Sequence, residues 1–183
     1  TFKLKPDAVF HDKTPLTADD VVFTIERIKD SEIKSPLEAI WDGVSVSRGD
    51  DQLTVIFRLS RGYASFLENT TVGILPKHLW EKIGPEQFSF SDLNIKAIGS
   101  GPYRISNISE KSGELIEEYN LKSWKDYAGT RPYITNIDLV FYKNEEDLIR
   151  AYRKGRVDQV SSISPKAAEN LSIEGYIPTT AVL

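Results

Sequence analysis

Phe2 and Leu4 alternate with Lys3 and Lys5, which predicts a short strand at the start of the chain, turned at Pro6-Asp7. Ala8-Val9-Phe10 reads as a second short strand, and His11 to Pro15 as a turn leading into a helix. Thr17 has the character of an N-cap, with Asp20 three residues on in the capping-box position and Asp19 suited to the positive helix end. Val21, Ile25 and Ile28 then fall at helical spacing, with Val22 widening the stripe, so a helix is predicted over 18–29. A helical turn is expected around Leu37–Trp41. Val44–Val46 and Leu53–Leu59 read as antiparallel strands joined through Arg48-Gly49-Asp50-Asp51. Phe66-Leu67 starts a short helix. Pro76 suits the first position of a helix running to about Ile83, which Gly84-Pro85 stops.

A polar and aromatic stretch from Phe88 to Asn94 has no clear period, and a domain division is expected near residue 93. Beyond it, Gly99-Ser100-Gly101-Pro102 turns into a strand over 103–108, and a loop around Lys111–Gly113 leads to a strand over 114–119. Ile134–Tyr142 is the longest strand candidate, with Ile137, Leu139 and Phe141 on one face. Asn144 caps the next helix. Glu145, Glu146 and Asp147 fill its first turn, and Arg150, Arg153 and Lys154 its last turn before Gly155. A short strand over Val157–Val160 and a helix opened by Ser164-Pro165 complete the order. The predicted class is α/β (α+β), with mixed β-sheets and flanking helices.

The chain has 183 residues, 40% of them hydrophobic and 27% charged, a balance that supports a folded core. Its net charge of −4 is spread without a basic field in either half, so no nucleic-acid partner is expected. No apolar run approaches the roughly 18 residues of a membrane span. With no Cys, there is neither a disulfide nor a thiolate metal site nor a cysteine nucleophile. The chain also lacks Met, and its opening strand reads as a cut inside a longer protein or a processed end.

Candidate chemistry is sparse. His11 beside Asp12 could serve as base and orienter, but the pair reads first as a turn in which Asp12 organises the backbone and His11 packs or faces solvent. His78 reads as a surface or capping residue. There is no His-x-x-x-His spacing, so neither a metal nor another cofactor is expected. Gly99-Ser100-Gly101 lacks the Lys-Ser/Thr of a phosphate loop and reads as a tight crossing into a strand. Glu117 and Glu118 project to opposite faces of a strand and make a poor acid/base pair. No enzyme is expected. Trp41, Trp80 and Trp124, with eight Tyr and eight Phe, suit a core or the walls of a binding recess.

Several separated segments, in order, carry a resemblance. Thr1-Phe2-Lys3-Leu4-Lys5 followed by Val9 through Thr24 resembles the signature stretch of the family 5 bacterial extracellular solute-binding proteins, receptors of peptide, dipeptide and nickel ABC importers. Gly99-Ser100-Gly101-Pro102-Tyr103 resembles that family's Gly-Thr-Gly-Pro-Tyr turn. Asn120 through Ile134 resembles its Asn-x-x-Tyr-Trp-x-Gly-x-Pro-Tyr segment, and Lys154 through Asp158 its Ser-Gly-Glu-Val-Asp. Lys13 departs from the glycine usual after the aspartate, and Leu121–Tyr127 departs from the Tyr-Trp order, so no role passes to Trp124.

The resemblance implies a periplasmic-binding-protein-like type II fold, here a first-lobe fragment with the second lobe absent. Residues 1–92 would be the small subdomain of that lobe and 93–183 part of its main α/β body. It implies an extracytoplasmic protein, periplasmic or anchored at the cell surface as a lipoprotein, and monomeric. Such a protein captures oligopeptides, dipeptides or a related small solute and hands them to an ABC transporter permease. The ligand wall would include Ser35, Pro36, Trp41, Asn69, Thr70 and Thr71, with Ser100, Gly101 and Tyr103 structural first and cleft-lining second. A different class stays open at this point: a solute-sensing or interaction domain of the same fold with no transport role.

Overall fold

The computed structural model describes residues 1–111 and 115–176. In chain order the elements are β1 (Phe2–Lys3), α1 (Ala18–Lys29), a 3-10 turn (Glu38–Trp41), β2 (Val44–Arg48), β3 (Thr54–Leu59), α2 (Phe66–Asn69), α3 (Lys77–Trp80) and α4 (Pro85–Phe88). A second 3-10 turn (Asp92–Asn94) is followed by β4 (Tyr103–Lys111), β5 (Leu115–Ser123), β6 (Asn136–Val140), α5 (Glu145–Arg153) and α6 (Pro165–Ile173). Two three-stranded sheets result, ordered β1-β3-β2 and β4-β5-β6. The described residues form two compact units: 1–107 with 120–137, and 108–111 and 115–119 with 138–176.

In the first unit, β2 and β3 pair antiparallel from Val44↔Leu59 to Arg48↔Val55, and β1 adds to the other edge of β3 at Phe2↔Val55. The hairpin closes through the Gly49 N–H on the Thr54 carbonyl, 2.8 Å. Gly43, just before β2, has φ +69, and a Cβ there would lie 2.5 Å from Ser60 Oγ, so glycine is required both by backbone and by space. Helix α1 buries Ala18, Val21, Ile25 and Ile28 against this sheet, meeting Val55, Val44 and Trp41. The spacing of those positions is the one the sequence predicts.

Thr17 caps α1 as expected, and Asp20 does more than complete the box. Its carboxylate accepts from the Thr17 N–H (2.9 Å), the Thr17 hydroxyl (2.8 Å) and the Lys77 N–H (2.9 Å), although only 6% of the residue is exposed. One buried carboxylate thus caps the start of α1 and the start of α3. Thr24 adds a second tie, its hydroxyl accepting from the Leu75 N–H at 2.9 Å and donating to the Asp20 carbonyl at 2.7 Å.

Four expectations need correction. Residues 8–10 form no strand: Val9 makes one isolated bridge to Pro15, because the segment folds back on itself through Phe10 N–H to Thr14 and Leu16 N–H to Ala8. Pro76 is the residue before the helix rather than its first, and α3 is a single turn because its N–H groups are satisfied by Asp20 and the Pro76 carbonyl. Gly84-Pro85 does not merely stop that turn; it caps and opens α4. Residues 157–160 are not a strand, since no described strand pairs with them.

The strands after the glycine turn run longer than expected, to Lys111 in β4 and Ser123 in β5, and β6 is shorter at both ends than 134–142. Lys111, expected in the loop, ends β4, while the rest of that expected loop and the expected strand start at 114 lie outside the described residues. In the second unit, Tyr119 packs edge-on against Phe141 at 6.0 Å, and the Phe141 N–H bonds the Glu117 carbonyl. Asn144 caps α5 by accepting from the Asp147 N–H, and Gly155 ends it at φ +64, as the charge order and the glycine predict. Ser164 caps α6 and is itself held by Glu145, while Arg153 pairs with Glu174 through two contacts.

Replacing Asp20 with alanine is expected to destabilise the first unit by roughly 2–4 kcal/mol, since it strands buried donors at both α1 and α3. Urea unfolding followed by circular dichroism checks this, and a change below about 0.5 kcal/mol would contradict the shared-carboxylate account.

Candidate functional site

Two surfaces of the first unit hold the residues that the sequence singles out. The first is built from segments 35–41 and 63–71. Trp41, 1% exposed, packs its ring against Phe57 (5.8 Å between centroids) and Phe66 (6.2 Å), and Phe57 and Phe66 meet at 5.5 Å. These rings bring the 3-10 turn beside α2, so Ser35, Pro36, Asn69, Thr70 and Thr71 lie on segments joined through one aromatic cluster. Trp41 itself is committed to the core and presents no face to a solute.

The polar side chains of this surface already have local partners. Ser35 Oγ accepts from the Leu37 N–H at 3.2 Å. Asn69 donates to the Tyr63 hydroxyl at 2.9 Å. Thr70 and Thr71 donate to the Leu67 and Glu68 carbonyls, each at 2.7 Å. The large hydrophobic side chains exposed on these segments are Leu37, Ile40, Tyr63 and Leu67, beside the exposed Ser65, Glu68 and Thr71.

The second surface surrounds the Gly99–Gly101 crossing. His11 Nδ1 accepts the Gly99 N–H (3.3 Å) while Nε2 reaches the Gly101 carbonyl (3.1 Å), an arrangement satisfied by the neutral Nε2–H tautomer. Trp124 lies edge-on to His11 at 5.6 Å and beneath the Arg104 guanidinium at 5.2 Å, and its backbone N–H bonds the Pro102 carbonyl. Tyr103 donates to the Ile134 carbonyl at 2.8 Å. Ser100 is half-buried at the centre of the crossing. Ser100, Gly101 and Tyr103 are therefore brought together, and apart from the wall of segments 35–41 and 63–71 as far as any bond or ring contact shows.

His11 and Asp12 do not form a base and orienter. Asp12 turns instead to His78, with Nε2 2.7 Å from Oδ2, and to the Thr14 N–H at 3.0 Å. Burial acts to raise the Asp12 pKa, but the Thr14 N–H, then His78, and the Thr14 hydroxyl outweigh it, so its carboxyl sits below the ordinary 3.8. Between them Lys13 adopts φ +74, the left-handed conformation that glycine would take without strain, and its N–H bonds the Phe10 carbonyl at 2.8 Å. The His78–Asp12 pair spans 66 residues and left no signal in the sequence.

Two recesses lie within the second unit. One of 260 Å³ separates α5 from α6, and one of 410 Å³ is lined by Tyr142, Lys143, Lys154 and Arg156 among others. Neither contains any of the nine expected ligand-contact residues. Among the described residues no group of three or more His, Asp or Glu gathers as a metal site, and no helix is long and apolar enough to cross a membrane.

Residues 1–180 match the family model described as bacterial extracellular solute-binding proteins, family 5 Middle. The chain belongs to this family. Among curated relatives, the peptidoglycan-binding protein YepA of Agrobacterium fabrum is 32% identical over 165 residues, covering 86% of this chain and 26% of that protein. The oligopeptide-binding protein AppA of Bacillus subtilis is 28% identical over 177 residues, covering 95% of the chain and 31% of AppA. Among solved structures, NikZ from Campylobacter jejuni in complex with Ni(L-His) superposes with a TM-score of 0.72 at 26% identity, over 85% of this chain and 30% of NikZ. The chain spans less than a third of each of these relatives. The mixed α/β fold with two small sheets is thus part of the solute-binding-protein fold, as the resemblance implied.

The depressed Asp12 pKa fixes a sign. Its stabilisation is present above the ordinary aspartate value of 3.8 and is lost as pH falls through the lower folded value. Asp12→Asn is expected to flatten the acid limb of the stability curve below about pH 4. Thermal unfolding across pH 2–7 measures this, and parallel acid limbs in the two proteins would contradict it.

Proposed function

We propose that this chain is part of the substrate-binding component of an ABC importer, which captures oligopeptides or dipeptides outside the cytoplasmic membrane and delivers them to a permease. The observation that carries the reading is the family match along residues 1–180, joined to the surface formed by segments 35–41 and 63–71. In this reading residues 1–92 are the small subdomain of the first lobe and 93–183 part of its main body, and a second lobe closes on the solute about a hinge. The protein works as a monomer, periplasmic or lipid-anchored at the cell surface, and it holds its solute without transforming it.

The chemistry agrees with holding. The two histidines are engaged in structural bonds, His11 across the glycine crossing and His78 on Asp12. Peptide recognition in such a receptor uses backbone hydrogen bonds for affinity and side-chain walls for selection. The names of the relatives, which include peptidoglycan- and oligopeptide-binding proteins and a Ni(L-His) complex, make the solute class the point to test.

Thermal shift of the full-length protein against a mixed peptide library, with Ni(L-His) as a separate arm, tests the reading. A peptide at a hundred times its Kd is expected to stabilise the protein by about 2.7 kcal/mol, a shift of several degrees. No shift with any peptide would overturn the peptide reading, and no shift in either arm would overturn solute capture.

A further inference from the structure

His11 and Asp12 are neighbours in sequence, yet each grips a segment far along the chain. His11 makes three bonds to the glycine crossing. Its backbone N–H donates to the Gly99 carbonyl (2.8 Å), Nδ1 accepts from the Gly99 N–H (3.3 Å), and Nε2 donates to the Gly101 carbonyl (3.1 Å). Asp12 holds His78 at 2.7 Å, and Thr14 Oγ1 stands 3.4 Å from the same imidazole nitrogen. The crossing and α3 are thus both fastened to one turn, residues 11–14.

That turn is the tip of a small hairpin. Its stem is fixed: Val9 bridges Pro15, the Phe10 N–H bonds the Thr14 carbonyl at 2.8 Å, and Phe10 and Leu16 are buried. Its tip carries the strain, because Lys13 holds φ +74 with a Cβ that this conformation disfavours. In so short a turn, Lys13 cannot return to negative φ without breaking its N–H bond to the Phe10 carbonyl and swinging His11 and Asp12 beside it. The two grips therefore share one backbone state. Both are made while Lys13 is left-handed, and both are lost when it relaxes.

The crossing is built to move once released. Gly99 and Gly101 flank Ser100, and the hydrogen bonds described on these two glycines come from His11. Just beyond them, the Trp124 backbone N–H pins the Pro102 carbonyl at 2.7 Å. Two glycines between a releasable grip and a fixed point have the form of a hinge.

We infer that the 11–14 turn is a conformational latch, which closes the Gly99–Gly101 hinge through His11 and is itself set by the Asp12–His78 pair. The latch goes beyond solute capture and does not depend on which solute is held. Lys13 sets its balance. Its strain makes the open form about tenfold more populated than a glycine at that position would, while the closed form stays dominant.

Hydrogen–deuterium exchange of the full-length protein, read by mass spectrometry on fragments covering 97–103 and 54–59, tests it. His11→Ala is expected to speed exchange at 97–103 by about tenfold while leaving β3 unchanged. His78→Phe keeps a ring against Phe10 but removes the nitrogen on Asp12. It is expected to speed exchange at 97–103 by roughly three- to tenfold, although the described bonds of His78 reach only Asp12 and Thr14. Lys13→Gly is expected to slow exchange in the same segment by about tenfold. Unchanged exchange at 97–103 in a folded His11→Ala protein would overturn the clasp, and unchanged exchange in His78→Phe would overturn the coupling that makes it a latch. A Lys13→Gly protein that exchanges no more slowly than wild type would overturn the role of strain in the balance. Acceleration of β3 as large as that of 97–103 would mean that the crossing opens only with the whole fold, which overturns the latch too.

Discussion

Three rings drawn from three segments, Trp41, Phe57 and Phe66, are the contact on which the candidate ligand wall depends. The elements that carry Trp41 and Phe66 are four residues long each, too short to hold a helical shape by backbone hydrogen bonds alone. Their position comes from the aromatic cluster, packed beneath α1 through Ile25 and Ile28 and onto the sheet through Val44. The wall is thus a product of tertiary packing, which explains why its apolar face could not be read from local pattern.

Hydrogen bonds to single side chains organise the other half of the same unit. Asp20 joins α1 to α3, His11 straddles the glycine crossing, and Asp12 ties the preceding turn to His78. Each replaces a stretch of regular structure with one well-satisfied polar group. The strained Lys13 persists beside Asp12 because the turn around it is held by the Phe10 carbonyl and by Asp12 on the Thr14 N–H, so the lost glycine costs some strain but not the turn itself. The Trp124 indole N–H is buried with no described hydrogen-bond partner, although its ring meets His11 edge-on and lies under Arg104.

Elements with a strong local signature were legible. The capping box and apolar stripe of α1, the β2–β3 hairpin, and the charge gradient and terminal glycine of α5 all appear where the pattern predicts. Misreadings arose where distant partners decide. Residues 8–10 look extended in sequence but bond back to 14–16, and Pro76 stands before the helix because Asp20, 57 residues from Lys77, supplies the acceptor for the Lys77 N–H. Residues 157–160 carry strand-like composition, yet a strand exists only by pairing. In the candidate site, the segments were named through resemblance alone, and composition did not show which of their polar groups are already bonded. Composition counts hydroxyls and amides, whereas function depends on which of them are already engaged.

The surface of segments 35–41 and 63–71 sets exposed Leu37, Ile40, Tyr63 and Leu67 over packed aromatic rings, with Asn69, Thr70 and Thr71 bonded locally; its part in solute capture is the proposal to test. A crystal structure of the full-length protein with a captured solute tests this most directly. The account predicts solute atoms within about 4.5 Å of Leu37, Ile40, Tyr63 or Leu67, with Trp41 unmoved beneath them. A solute held elsewhere, with those four side chains facing open solvent in the closed form, would contradict it.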